Sequence, residues 1–257
     1  MNKQAIYFLS ALFLASACTE PATTDPDGGT DPAKPQTKYV TGQVTDSQGR
    51  PLKGAYLFVE NTLYVSSGAD TKSDDKGNYK IKLTLGSYLA KGQYEVDYNN
   101  RHYVFDLQPD NDQSFTDDEG AVRNFTWKLS GKKNARYNLY HGGTIELLHD
   151  PNSQLWDIEN VEFTLKPVGP LIDGSTGRTL TMKSADPGLP NYLFLVDIPI
   201  GRYTISAVHK PTGRKVLLQN VNSNQPYAES LTQDFYGFDS PRHCKNCMGL
   251  GYKFQGE

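Results

Sequence analysis

Cys244 and Cys247 stand with two residues between them in His243-Cys244-Lys245-Asn246-Cys247-Met248, the stretch of this sequence where sulfur and imidazole crowd together. A Cys-x-x-Cys pair can close a local disulfide, cycle as a redox couple, or supply half of a metal site. Zinc would need two further ligands, of which His243 supplies at most one nearby, while a soft metal could draw on Cys244, Cys247, His243 and Met248. A c-type haem requires His directly after the second Cys, where Met248 stands. A redox pair should open a helix that lowers its thiol pKa, whereas Gly249-Leu250-Gly251-Tyr252 reads as a turn or a final strand. A structural Cys244–Cys247 disulfide is the expectation, with metal binding left open.

The histidines are His102, His141, His149, His209 and His243, and none is two residues from another. Tyr140-His141 and His102-Tyr103 come nearest to a Tyr/His iron site and read as turn or strand-edge residues. No His-x-x-Glu pair, Gly-x-Ser-x-Gly elbow, P-loop or dinucleotide fingerprint occurs. The expectation is a protein that is not an enzyme, with no catalytic residue, no cofactor and no metal; imidazoles converging with Tyr or carboxylates in space would reopen the question. Trp156, in the polar stretch Asn152-Ser153-Gln154-Leu155-Trp156-Asp157, is the one ligand-binding candidate, because an exposed indole stacks on a sugar ring or a partner's surface. Its alternative is to fold back over the edge of a β-sandwich. Trp127 alternates within a strand and belongs in the core.

Cys18 has a different chemistry. Lys3 precedes an apolar stretch from Ala5 to Ala17, long enough for the core of an export signal and too short to span a bilayer. Leu14-Ala15-Ser16-Ala17-Cys18 resembles the lipobox of bacterial lipoproteins, although Ala15 sits where Leu is usual and Leu14 lies one place early. The resemblance implies a signal peptide over 1–17, acylation of Cys18, and a protein lipid-anchored at the outer membrane or cell surface. Ordinary cleavage after Ala15-Ser16-Ala17 is the other reading. Residues 18–38 are rich in Thr, Pro, Asp and Gly with no apolar period, which predicts a disordered linker reaching about 25 Å.

Without residues 1–17 the chain keeps 25 basic and 29 acidic side chains, a net charge of −4 with His neutral. That balance excludes an electrostatic footprint for nucleic acid and argues against docking on anionic lipid by charge. The 16 Tyr, 11 Phe and 23 Gly point to short strands and tight turns. Alternating runs begin with Val40, Gly42 and Val44 before Asp46-Ser47-Gln48-Gly49-Arg50-Pro51, a turn signal. They continue over 55–60, 79–83, 94–98, 103–107 and 123–129. After Ser130-Gly131-Lys132-Lys133-Asn134 a second series follows over 144–148, 161–168, 180–183, 192–198, 203–208 and 215–218. No long amphipathic helix is found. Gly92-x-Tyr94-x-Val96 recurs as Gly201-x-Tyr203-x-Ile205, an internal echo.

The set Gly42-x-Val44-x-Asp46-x-x-Gly49-x-Pro51-Leu52-x-Gly54-Ala55, Asp75-x-Gly77-x-Tyr79 and Gly92-x-Tyr94 resembles the carboxypeptidase regulatory-like domain. The resemblance implies a prealbumin-like β-sandwich related to the B repeats of bacterial surface adhesins (Cna-B type), and nothing about function, because these are turn and core residues. Enzymes of that fold do not match: intradiol dioxygenases use a His-x-His pair, and transthyretin-like hydrolases end in Tyr-Arg-Gly-Ser, whereas this chain ends Tyr252-Lys253-Phe254-Gln255-Gly256-Glu257. The fold class expected is all-β: two tandem prealbumin-like or immunoglobulin-like sandwiches, over 39–131 and 136–235, with a C-terminal tail over 236–257 carrying the Cys-x-x-Cys. The expected work is binding or scaffolding at the cell envelope, with the membrane met through the N-terminal lipid and an envelope protein or a glycan as partner. A glycan-binding accessory of an uptake system is the alternative, and a metal-dependent enzyme stands third.

Overall fold

The computed structural model describes residues 34–64, 67–133, 139–238 and 246–257. The expected signal peptide, Cys18, linker residues 18–33, His243 and Cys244 lie outside the described residues.

The N-terminal strands are β1 (Tyr39–Asp46), β2 (Tyr56–Asn61), β3 (Gly68–Lys72), β4 (Asn78–Lys82), β5 (Ser87–Tyr98), β6 (Arg101–Asp106), β7 (Gln108–Pro109), β8 (Phe115–Thr116), β9 (Ala121–Val122) and β10 (Phe125–Trp127). They form two five-stranded sheets, β4-β1-β10-β7 with β9 beside β1, and β3-β2-β5-β6 with β8 beside β5. Period-two alternation buries one face of each: Val40 and Val44 from β1, Leu57 and Val59 from β2, Tyr103 and Phe105 from β6, Phe125 and Trp127 from β10. The Asp46–Pro51 turn forms as its residues predict, with Gly49 at φ +78° and the Asp46 carboxylate accepting the Gln48 and Arg50 amides at 2.9 Å each.

The remaining strands are β11 (Gly143–His149), β12 (Val161–Pro167), β13 (Leu180–Met182), β14 (Phe194–Ile198), β15 (Arg202–His209), β16 (Lys215–Asn220), β17 (Ser230–Asp234) and β18 (Cys247–Phe254). They join in one eight-stranded sheet, β13-β12-β15-β16-β18-β11-β14, with β17 also on β15. One face of β11, β12 and β15 is buried residue by alternate residue, so the sheet must curl over that face to shield it. The single helical element among the described residues is a 3-10 turn, Ile158–Asn160.

The two strand sets repeat one plan. β1 lies parallel to β10 and antiparallel to β4; β11 lies parallel to β18 and antiparallel to β14. β2 sits between β3 and β5 as β12 sits between β13 and β15. The Gly-x-Tyr echo falls on β5 and at the head of β15, corresponding strands of the two sets.

Of the expected C-terminal tail over 236–257, residues 247–254 are part of the eight-stranded sheet. They supply β18, which lies inside the sheet between β11 and β16. Gly249-Leu250-Gly251-Tyr252 reads in the sequence as a turn or a final strand, and a strand is what forms. Its glycines fit where neighbours press on one face: a Cβ on Gly249 would overlap Val221 Cγ2 and lie 3.2 Å from the Tyr236 hydroxyl, and one on Gly251 would lie 2.9 Å from the Tyr227 hydroxyl. β3 and β17 are not legible in the sequence, since Gly68–Lys72 and Ser230–Asp234 carry little apolar alternation.

Residues 34–257 pack as one compact unit. The joint between the strand sets is polar and specific. The Tyr103 phenol donates to the Phe235 carbonyl at 2.9 Å, Tyr98 to the Pro170 carbonyl at 2.8 Å, and Asn99 to the Asp234 carboxylate at 2.8 Å. Arg50 donates to the Asp173 carbonyl at 2.8 Å, and the Phe238 amide to the His102 carbonyl at 2.8 Å. These groups come from the end of the first sandwich opposite Lys38, where the chain enters.

His141 is buried at this joint with Nε2 3.1 Å from Gln108 Oε1. Burial, with Lys133 and Lys128 nearby, pushes its pKa down from 6.5 to about 4. The unfolded chain therefore takes up a proton that the folded chain refuses, and stability falls as pH drops from about 6.5 towards 4. In His141→Gln that slope is expected to flatten, measurable as urea midpoints across the same pH window; an unchanged slope would assign the acid sensitivity elsewhere.

Candidate functional site

His149 ends β11 at the pole of the second strand set farthest from the joint, and the loop Asp150–Asp157 folds over that pole. Asp150 Oδ1 accepts the Asn152 amide at 2.9 Å, which opens the loop with a side-chain-closed turn and, as the main cause, holds the Asp150 carboxyl below its ordinary range. Ser153 is fully buried: its hydroxyl donates to Glu257 Oε2 at 2.6 Å and accepts the Leu155 and Phe254 amides at 3.2 and 3.3 Å. Leu155 and Ile158 are then driven into the core, and Trp156 between them turns outward.

The indole is 65% exposed, and one face is occupied. It stacks on the His149 ring with centroids 4.1 Å apart and planes at 27°, and His149 meets Tyr252 edge-on at 5.5 Å. Burial raises the Tyr252 phenol to about 12. The sequence offered the exposed indole and the indole folded on a sandwich edge as alternatives; the loop delivers both, one face packed and one face open. The next residue is clamped: Asp157 Oδ2 accepts from His209 Nε2 at 2.9 Å and from Asn160 Nδ2 at 3.0 Å. Burial alone would raise the Asp157 carboxyl, and these two hydrogen bonds outweigh it and hold it low. Two buried polar atoms beside Tyr252, His149 Nε2 and Glu159 Oε2, have no hydrogen-bond partner. The arrangement is an indole platform backed by His149 and Tyr252, suited to stacking on a flat ligand face.

The other candidate residues are dispersed. His102 pairs with Asp97 at 2.9 Å, His141 with Gln108, His209 with Asp157 and Thr212, and His149 with Trp156. Among the described residues no three of His, Cys, Asp and Glu are placed to hold a metal ion. Cys247 and Met248 are successive residues of β18 and point to opposite faces, so one soft ion cannot take both. Trp127 is a core residue. The sequence singles out Trp156 without placing His149, Tyr252 or His209 near it; only the period-two step from Ile145 and Leu147 to His149 points that ring to the buried face.

No protein-family model matches this sequence, and no curated protein matches it. Solved structures align at low identity. The Bacillus anthracis TIE protein is 15% identical with a TM-score of 0.32, over 84% of this chain and 34% of that one, so the chain spans about a third of its length. A C-terminal fragment of the pilus adhesin SpaC from Lactobacillus rhamnosus GG is 15% identical with a TM-score of 0.25, over 85% and 97%. A single B repeat unit of the collagen-binding surface protein of Staphylococcus aureus is 12% identical with a TM-score of 0.22, over 85% and 99%. The all-β assignment rests on the strand pairing of the chain itself.

Proposed function

We propose that this chain is a lipid-anchored protein of the bacterial outer membrane or cell surface, working without catalysis as a binding or scaffolding module. The lipobox resemblance around Cys18 supports the anchor, and the carboxypeptidase regulatory-like motif supports a prealbumin-like scaffold. The Cys244–Cys247 bridge belongs to the same reading, as a clip on the segment leading into β18.

The observation that carries the binding role is the position of Trp156. The chain enters at one pole of the first sandwich, the joint lies at its other pole, and the platform lies beyond the joint, so a lipid at Cys18 leaves Trp156 at the pole remote from the attachment. A glycan is favoured as ligand by the exposed indole face, on which the apolar face of a saccharide ring can stack.

Palmitate is expected to enter the wild-type chain and not Cys18→Ser. On a glycan array, Trp156→Ala is expected to lose at least about tenfold in binding, about 1.4 kcal/mol. Its urea midpoint should stay near wild type, because the removed ring is mostly in solvent. Full binding by Trp156→Ala would remove the platform from the reading.

A further inference from the structure

The two most exposed large apolar side chains among the described residues are Leu85, at 75%, and Leu63, at 66%. They stand together with exposed Tyr64 on two neighbouring loops. The Thr62 amide and hydroxyl both donate to the Ser87 carbonyl, at 2.7 and 3.1 Å, and Asn61 lies opposite Tyr88 in the β2–β5 register. Asn61 Oδ1 accepts the Leu63 and Tyr64 amides at 2.9 and 3.2 Å, fixing the backbone that presents these two side chains.

Scattered surface leucines are ordinary; two adjoining loops without charge are less so. Asn61 to Ala69 and Leu83 to Ala90 contain no charged residue, in a chain of which 21% is charged. The same pole receives the chain: Lys38 donates its amide to the Asp117 carbonyl and accepts the Leu83 amide, at 2.8 Å each. The Lys38 ammonium is itself paired with Asp117 and Asp118, and with Glu119 beside them this rim is net negative, so it offers no cationic attraction to lipid.

We propose that this pole docks on a lipid bilayer, with Leu63, Tyr64 and Leu85 entering the boundary between headgroups and acyl chains. Leucine supplies apolar area, and a tyrosine with a wet hydroxyl suits the interfacial depth. Attraction by charge plays no part, so a zwitterionic bilayer suffices and salt has little effect. The proposal rests on the anchoring reading for the route to the membrane: a linker reaching about 25 Å from Cys18 keeps this pole, rather than the Trp156 pole, within touching distance.

The test uses the full chain with phosphatidylcholine vesicles, plain or brominated on the acyl chains. Leu85→Trp adds an emitter at this pole; native Trp156 marks the far pole and Trp127 the core. The added emission is expected to shift to the blue and to fall by about half or more in brominated vesicles, while wild-type emission stays level, as an indole at the acyl boundary requires. About 0.5 M salt should leave this unchanged. Palmitate incorporation, scored on the same preparation, reports anchoring separately. Equal quenching in wild type and Leu85→Trp overturns docking whether or not palmitate is incorporated; selective quenching upholds it in either case.

Discussion

Tyr103→Ala is expected to lower the free energy of unfolding by about 3–5 kcal/mol, a large share of what a protein of this size has in reserve. Tyr103 is fully buried, stacks on Phe105 and meets Tyr98 edge-on, and its hydroxyl crosses the joint to the Phe235 carbonyl. The substitution opens a cavity and leaves that carbonyl without its donor. Tyr103→Phe keeps the packing and should cost about 1–1.5 kcal/mol. The two tryptophans make the outcome readable, since Trp127 reports on the first strand set and Trp156 on the second. In urea both signals should shift together in Tyr103→Ala. A Trp127 transition that moves while Trp156 stays in place would show the two strand sets to unfold independently.

The second large effect is steric. Gly42 lies in β1 where that strand passes from β9 to β10, and Arg123 bulges toward it between them. A Cβ at position 42 would overlap the Arg123 carbonyl and press on the Tyr79 ring at 2.9 Å. That carbonyl cannot retreat freely, because it accepts the Tyr79 phenol at 2.7 Å while the Arg123 amide is tied to the Thr41 carbonyl at 2.8 Å. Gly42→Ala should therefore cost about 3 kcal/mol or more, in the upper range for overpacking. Soluble yield and urea midpoint measure it; a wild-type midpoint would mean that β1 slides aside at this point.

Alternation made much of this architecture legible. Val40, Val44, Leu57, Val59, Phe163, Leu165, Tyr203 and Ile205 show their burial in a simple every-other-residue pattern, because each faces a core on one side and water on the other. The Asp46–Pro51 turn was also plain, since its chemistry is local. What stayed hidden depends on residues far apart in the chain. β18 stays open between a turn and a final strand until Val221, Tyr227 and Tyr236 are placed over its glycines. Trp156 was identifiable by type and context, but His149 reaches it through a loop pinned by Glu257, some hundred residues away. Asp46 illustrates the same limit: its turn is written in the sequence, yet it is 3% exposed and its Arg50 partner reaches across to Asp173.

The parallel pairing of β1 with β10 and of β11 with β18 has a mechanical consequence. A strand set that opens and closes on parallel neighbours sends the chain out at the pole opposite its entry, so tension between Tyr39 and the Trp156 loop runs along the strands rather than across them. Under such a pull the rungs joining β1 to β4, and β11 to β18, carry load in shear, several at a time, instead of parting one after another like a zip. Traction from a captured ligand would meet its greatest resistance along this axis.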